Sequence, residues 1–138
     1  MKYISRSIDK TLEEWKESTT HKPLLLRGAR QVGKSSAVRH LGTQFKYFAE
    51  VNFESAKSIA TFFKGDLDVK LISSKISNYI QVPIIPGQTL LFLDEIQACP
   101  EAIMALRFFK EDYPELHVIA AGSLLEFALQ SLPTFGVG

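Results

Sequence analysis

Gly28-Ala29-Arg30-Gln31-Val32-Gly33-Lys34-Ser35 sets two glycines, a lysine and a hydroxyl at the spacing G-x-x-x-x-G-K-S. A triphosphate needs many donors converging on a small volume of negative charge, and the backbone N–H groups of such a loop supply them. Gly28 and Gly33 let the backbone approach without a Cβ in the way. Lys34 is expected to reach the β- and γ-phosphates, and the Ser35 hydroxyl to ligate Mg²⁺. The nucleotide-binding set is therefore Gly28, Ala29, Arg30, Gln31, Val32, Gly33, Lys34, Ser35 and Ser36. Arg30 has two open readings, a phosphate contact or a solvated loop charge. By average residue frequencies, the four fixed positions arise by chance in a chain of this length roughly once in two hundred sequences.

Sixty residues on, Leu90-Leu91-Phe92-Leu93 runs straight into Asp94-Glu95. In a parallel sheet the carboxyl ends of the strands line the ligand crevice. Asp94 is then expected near the metal, and Glu95 beside the water that attacks the γ-phosphate, as its proton acceptor. The competing reading is that the pair caps the next helix or faces solvent. Ser123, after Ala121-Gly122, either touches the γ-phosphate or attacking water as a third catalytic group beside Glu95 and Lys34, or caps the helix that follows. Asn52 invites a hydrogen bond to Glu95, against the plainer reading of a polar strand end.

The elements that must position these groups alternate between helical and strand periodicity, which predicts an α/β domain with a mostly parallel sheet. Ile8, Leu12 and Trp15 predict a helix over roughly 8–18 with Ser7 as N-cap. Leu24–Leu26 reads as a buried strand just before the glycine loop. A helix follows Gly33 to about Leu41, closed by Gly42 as a C-terminal cap. Tyr47–Phe53 alternates as a second strand, with Tyr47, Ala49, Val51 and Phe53 on one face. Helices are expected over 58–64 and 68–80, then a loop at Pro83, Pro86 and Gly87. Thr89–Leu93 is the third strand, and Pro100 opens a helix with Ala102, Leu106, Phe109 and Tyr113 on one stripe. His117–Ala121 makes the fourth strand, and a final helix runs from Ser123 to Gln130.

The chain has 138 residues, net charge +1 and 46% hydrophobic residues. That suits a single nucleotide-binding domain over 1–138, with a helix and connector in 1–22 and the core in 23–132. The near-neutral charge offers no support for nucleic acid as partner. No apolar run reaches eighteen residues and no signal peptide is readable, so no membrane partner and a cytoplasmic location are expected. Cys99 is the one cysteine, which excludes an internal disulfide; before Pro100 and without a partner base, it reads as a buried spacer. His21, His40 and His117 sit far apart in sequence, against a histidine metal site. No Asn-Lys-x-Asp follows a strand, since Asn52 and Asn78 precede Phe and Tyr, so ATP is favoured over GTP.

Taken together, LLLRGARQVGKSS (24–36), YFAEVNFE (47–54), LLFLDEIQACP (90–100) and HVIAAGSLLEFAL (117–129) resemble the AAA-like ATPase domain of prokaryotic predicted ATPases. The matching positions include Arg30 and Val32 in the loop, Ile96 and Gln97 after the acidic pair, and Gly122-Ser123. The resemblance covers residues 22 to about 130. It implies a P-loop NTPase three-layer sandwich of the type with an additional catalytic glutamate. Helices would cover both faces of a parallel sheet of at least four strands in the order 1-4-3-2. It further implies ATP and Mg²⁺ as ligands, and a chain that continues into a fifth strand beside Leu24–Arg27, a helical lid and a C-terminal domain. Lacking that strand, the first strand would be an open edge prone to self-association. Hydrolysis by this class also uses an arginine against the γ-phosphate. Arg27, Arg30, Arg39 and Arg107 hold no position that marks one of them for that role, so weak or no turnover is expected of this chain alone. The function that follows is a Mg-dependent ATPase coupling ATP binding and hydrolysis to movement of attached domains. The alternatives are a nucleotide-gated binding module and a small-molecule kinase.

Overall fold

A computed structural model of the chain describes residues 7–26 and 34–122, with the backbone alone at Ser7 and Lys34. α1 begins at Ser7 itself, one residue before the start expected of it with Ser7 as N-cap; the loop 28–33 and the helix 123–130 lie outside the described residues. The elements in order are α1 (Ser7–Glu17), β1 (Leu24–Leu26), α2 (Lys34–Gly42), β2 (Tyr47–Asn52), α3 (Lys57–Ala60), α4 (Val69–Ile80), β3 (Thr89–Asp94), α5 (Pro100–Asp112) and β4 (His117–Ala121). The segment expected as one helix over 58–64 splits into α3 and a 3-10 turn, Thr61–Phe63.

The four strands are parallel in the order β1-β4-β3-β2. β3 and β4, uninterrupted apolar runs in the sequence apart from their end residues, are the central strands and are buried along their whole length. Their side chains alternate between two layers. Leu91, Leu93, Val118 and Ala120 pack with Ile72, Ile76, Leu106 and Phe109 of α4 and α5. Leu90, Phe92, Ile119 and Ala121 pack with Leu12, Val38 and Leu41 of α1 and α2. Burying both faces of a sheet requires helices on both, and this sequence provides amphipathic ones for each. α1 belongs to the sandwich: Leu12 is fully buried in its second layer.

Local chemistry explains the ends of these elements. Asp68 caps α4, its Oδ1 accepting from the Leu71 N–H at 3.2 Å. Pro100 occupies the first turn of α5, where its missing N–H costs nothing. Thr89 pins the loop before β3 by donating to the Pro83 carbonyl at 2.8 Å and accepting from the Ile85 N–H at 3.0 Å.

Gly42 corrects the sequence reading. It is the last residue of α2 and does not adopt a left-handed cap. Its small size instead admits the Phe48 ring, since a Cβ built there would lie 2.5 Å from that ring. Phe48 in turn stacks on Phe92 at 6.3 Å.

Two of the histidines, far apart in sequence, meet in the fold. His21 and His117, 96 positions apart by number, stack face to face with ring centroids 3.7 Å apart and planes 13° apart. Trp15 and Phe45 meet the His117 ring edge-on at 5.1 and 5.2 Å. The cluster fastens α1 and its connector to the start of β4, helped by a Trp15 Nε1 bond to the Lys22 carbonyl at 2.6 Å. Among the described residues, no group of three or more metal-ligating side chains exists, and no helix is long and apolar enough to cross a membrane.

Two outcomes follow from this packing. Gly42→Ala is expected to lower stability by about 1–3 kcal/mol, as overpacking does, with part of the loss recovered by adding Phe48→Leu; urea denaturation reads both. Burial, then the neighbouring His21, hold the His117 pKa below the ordinary histidine value. The unfolded chain therefore binds the proton more readily, and stability present above the unfolded pKa is lost as pH falls through the folded one. The melting temperature should drop between about pH 8 and about pH 5, and His117→Phe should flatten that drop.

Candidate functional site

The carboxyl ends of β1, β4 and β3 face one rim of the sheet, and the sequence places its polar residues there. β3 carries its whole apolar stretch into the sheet interior and emerges at Asp94, whose backbone pairs with Asn52 of β2. α2 begins at Lys34, directly after the glycine loop, so that the N-terminal end of its dipole and its unpaired N–H groups belong to this rim.

The structure brings Ser35 and Asp94 together. The Ser35 hydroxyl donates to Asp94 Oδ2 at 3.3 Å across 59 residues of sequence. The other carboxylate oxygen, Oδ1, accepts the Glu95 N–H at 2.9 Å. Both acidic residues are buried, Asp94 with 7% and Glu95 with 9% of its surface exposed. A carboxylate and a hydroxyl thus meet in a largely desolvated corner, with the buried Glu95 next in the chain. Oxygen donors of this kind suit a hard divalent cation such as Mg²⁺, whose preferred ligands are carboxylates, hydroxyls and phosphate oxygens.

Glu95 adopts a left-handed backbone, φ 52° and ψ 46°. A side chain with a Cβ pays roughly 1–2 kcal/mol for that conformation. Strain of this sort persists where surrounding contacts hold it, and it clusters at functional positions. Here the Asp94 Oδ1 bond and the 3-10 turn Ile96–Ala98 that follows supply those contacts. The chain consequently reverses right after β3, which keeps Glu95 at the rim beside Asp94 rather than further along the next helix. Neither carboxylate caps α5, whose N-cap is Cys99.

Asn52 serves its own strand end. Its side-chain oxygen accepts the N–H groups of Glu54 at 2.9 Å and Ser55 at 3.3 Å, forming the turn that leaves β2. Ser36 sits exposed on the first turn of α2. The loop residues Gly28, Ala29, Arg30, Gln31, Val32 and Gly33, the Lys34 side chain and Ser123 lie outside the described residues.

Sequence reasoning passed over the engagement of Arg39. It forms a two-point bond to Glu50, Nε to Oε1 at 3.0 Å and Nη2 to Oε2 at 2.7 Å, tying α2 to β2. That hydrogen bonding, with the Glu50 and Asp94 charges behind it, raises the Arg39 pKa. The signal was the alternation of β2, which turns Glu50 out of the buried face toward α2. Arg107 pairs with Glu111 one turn along α5, on the exposed side. Both arginines among the described residues therefore already hold a carboxylate. Cys99 is buried, and burial pushes its thiol pKa up, which leaves it unsuited to act as a nucleophile.

The sheet order, the loop-to-helix position of α2 and the acidic end of β3 define a P-loop NTPase α/β fold. A family profile described as an AAA domain matches residues 20–138. The chain belongs to that AAA domain family, as a nucleotide-binding, ATPase-like domain. It is similar in fold to the Walker-type ATPase paby2304 of Pyrococcus abyssi, with a TM-score of 0.54 and 18% sequence identity, covering 93% of this chain and 48% of that one. A more remote likeness, TM-score 0.48 and 16% identity over 98% of this chain and 34% of the other, is to unliganded Pif1 from Bacteroides sp.. The chain spans about half the length of the first of these and about a third of the second. No curated protein matches it.

The dual duty of Asp94 separates its fold role from its charge. Asp94→Ala leaves the buried Glu95 N–H without an acceptor, an expected loss of about 1–3 kcal/mol. Asp94→Asn keeps an oxygen for that N–H and should retain most of the stability; chemical denaturation of the two variants makes the comparison.

Proposed function

We propose that the domain binds ATP with Mg²⁺ at the rim formed by the glycine loop, the start of α2 and the end of β3, and hydrolyses it in the intact protein. The observation that supports this most is the Ser35–Asp94 contact, which unites the hydroxyl of the loop motif with the acidic end of β3. Two motifs distant in sequence thereby share one corner, as triphosphate chemistry requires.

In this reading the N–H groups of residues 28–34 and the α2 terminus hold the phosphates, while Lys34 neutralises charge on the β- and γ-phosphates. Ser35 and Asp94 would hold Mg²⁺, which when bound would supply positive charge to offset that of the phosphates. Glu95, set at the rim by its left-handed backbone, orients a water and accepts its proton as the water oxygen bonds to the γ-phosphorus. The bond from that phosphorus to the bridging oxygen breaks, and ADP departs with the bridging oxygen's negative charge. Ser123, just past β4, is assigned to sense the γ-phosphate. Burial around Asp94 and Glu95 strengthens these interactions by excluding water.

A nucleotide-gated module with little turnover is the second reading, and the arginines favour it for this chain alone. Arg39 and Arg107 are committed to Glu50 and Glu111, so a residue to stabilise the transition state would come from elsewhere in the intact protein or from a second chain. β1 is an outer strand among the described residues, and a further strand from the continuing protein or from a second copy would pair there. Hydrolysis would then be coupled to movement of the attached domains.

The intact protein tests this. Lys34→Ala is expected to weaken ATP binding at least about tenfold, by loss of a charge-assisted phosphate contact. Glu95→Gln should bind ATP with near-unchanged affinity while turnover falls by about 10²-fold or more. Undiminished hydrolysis by Glu95→Gln would take Glu95 out of the mechanism.

A further inference from the structure

The nucleotide chemistry uses the carboxyl ends of the strands and leaves the two outer edges of the sheet. β1 offers three residues at one edge and β2 six at the other. The ladder from β2 to β3 runs unbroken from Tyr47 to Asn52. At its start the Tyr47 N–H donates to the Gln88 carbonyl at 3.0 Å, and just past its end the Phe53 N–H donates to the Asp94 carbonyl at 3.1 Å. Backbone groups alternate sides along a strand, so the odd-numbered residues face β3. The N–H and C=O groups of Phe48 and Glu50 therefore point outward, as does the C=O of Lys46, across its peptide plane from the Tyr47 N–H. On that side no strand lies among the described residues.

Sheet edges are commonly blunted by proline, a bulge or an unopposed charge. β2 has no proline and no break in its ladder, and Arg39 already neutralises Glu50. Lys46 is exposed, and Tyr47, Phe48 and Glu50 are each half-buried, so the edge is within reach of another chain.

The side chains select the occupant. Lys46-Tyr47-Phe48-Ala49-Glu50 is complementary to itself when read in reverse about Phe48. Antiparallel pairing of two copies across a two-fold axis at Phe48 sets Lys46 of each opposite Glu50 of the other. Glu50 keeps Arg39 in that pairing, because a carboxylate has acceptor sites for two cations, and its side chain is 27% exposed. Between the two ion pairs Phe48 meets its own copy, an aromatic cross-strand pair. On the opposite face Tyr47 lies beside Ala49 of the other copy, the largest phenol against the smallest side chain of the strand. The outward groups of Phe48 bond with their copies, and the Glu50 N–H donates to the Lys46 carbonyl. Sliding the pairing by two residues would put Phe48 against Glu50, and by four residues Glu50 against itself. The charges thus favour one register.

We propose that the β2 edge is a homodimer interface, in which two copies pair antiparallel over residues 46–50 and join their four-stranded sheets into one. Each phosphate rim then lies beside the end of the other sheet at which strands begin, so the two rims work apart. The interface stands independently of the nucleotide reading, and the β1 edge stays open.

Sedimentation equilibrium of the intact protein reads the assembly, and a concentration-dependent dimer is expected. Lys46→Glu sets like charges against each other at both ion pairs and should weaken the dimer about tenfold or more, and Glu50→Lys should do the same. Mixed in equal amounts, the two variants are complementary in this register and should associate more tightly than either does with itself. Amide hydrogen exchange keeps the test open if Glu50→Lys does not fold for want of the Arg39 bond. In the unaltered protein the Phe48 and Glu50 N–H groups should gain protection as concentration rises, and Lys46→Glu should remove that gain. A monomer at every concentration up to about 1 mM, a dimer indifferent to Lys46→Glu, a mixture of folded variants no tighter than its parts, or Phe48 and Glu50 amides indifferent to concentration would overturn the proposal.

Discussion

The arrangement rests on the pairing of β3 between β2 and β4. A strand buried on both faces admits no polar side chain along its length, so its first charged residue must fall where the sheet ends. In β3 that residue is Asp94, and the parallel register fixes it opposite Asn52. The same register puts the end of β1, and hence the start of the glycine loop, at the same rim, with β4 between them. Shifting β3 by one residue would exchange Leu91 and Leu93 for Leu90 and Phe92 between two differently shaped layers. The location of the acidic corner is thus a by-product of core packing. Its chemistry needed only Ser35 to face it.

Helices on both faces make that strand possible, and the contacts that join them to the sheet are of unequal kinds. α4 and α5 attach through broad aliphatic and aromatic burial. α2 attaches through Val38 and Leu41, through the Arg39–Glu50 bond, and through the close approach of Gly42 to Phe48. α1 is joined by Leu12 and by the aromatic cluster around His117. The element that presents the phosphate loop is therefore braced against two strands, β2 by charge and β3 through Phe48 and Phe92.

Strong local patterns made most of this legible in the amino-acid sequence. The apolar runs Leu24–Leu26 and Leu90–Leu93 and the Pro100 start each have a single satisfactory conformation, and each is observed. The strand order came from family resemblance, because nothing in a four-residue apolar run states which neighbour it will pair with. Gly42 was misjudged because a glycine at a helix end usually serves a left-handed turn, whereas here tertiary crowding by Phe48 decides its identity. The stacking of His21 on His117 was invisible for the same reason: contact between distant segments leaves no periodic trace. The Ser35–Asp94 contact was foreseeable as proximity, while the role of Asp94 Oδ1 in holding Glu95 was not, since it depends on the backbone angle at Glu95.

That backbone angle has an evolutionary consequence. Glycine is the residue a left-handed site accepts most readily, so random exchange at position 95 tends toward it with a gain in conformational comfort. Glutamate there runs against that drift. A lineage that stopped needing the carboxylate would have every energetic reason to discard it, and the persistence or loss of the acid at this one position in related chains becomes a gauge of whether they still turn over their nucleotide.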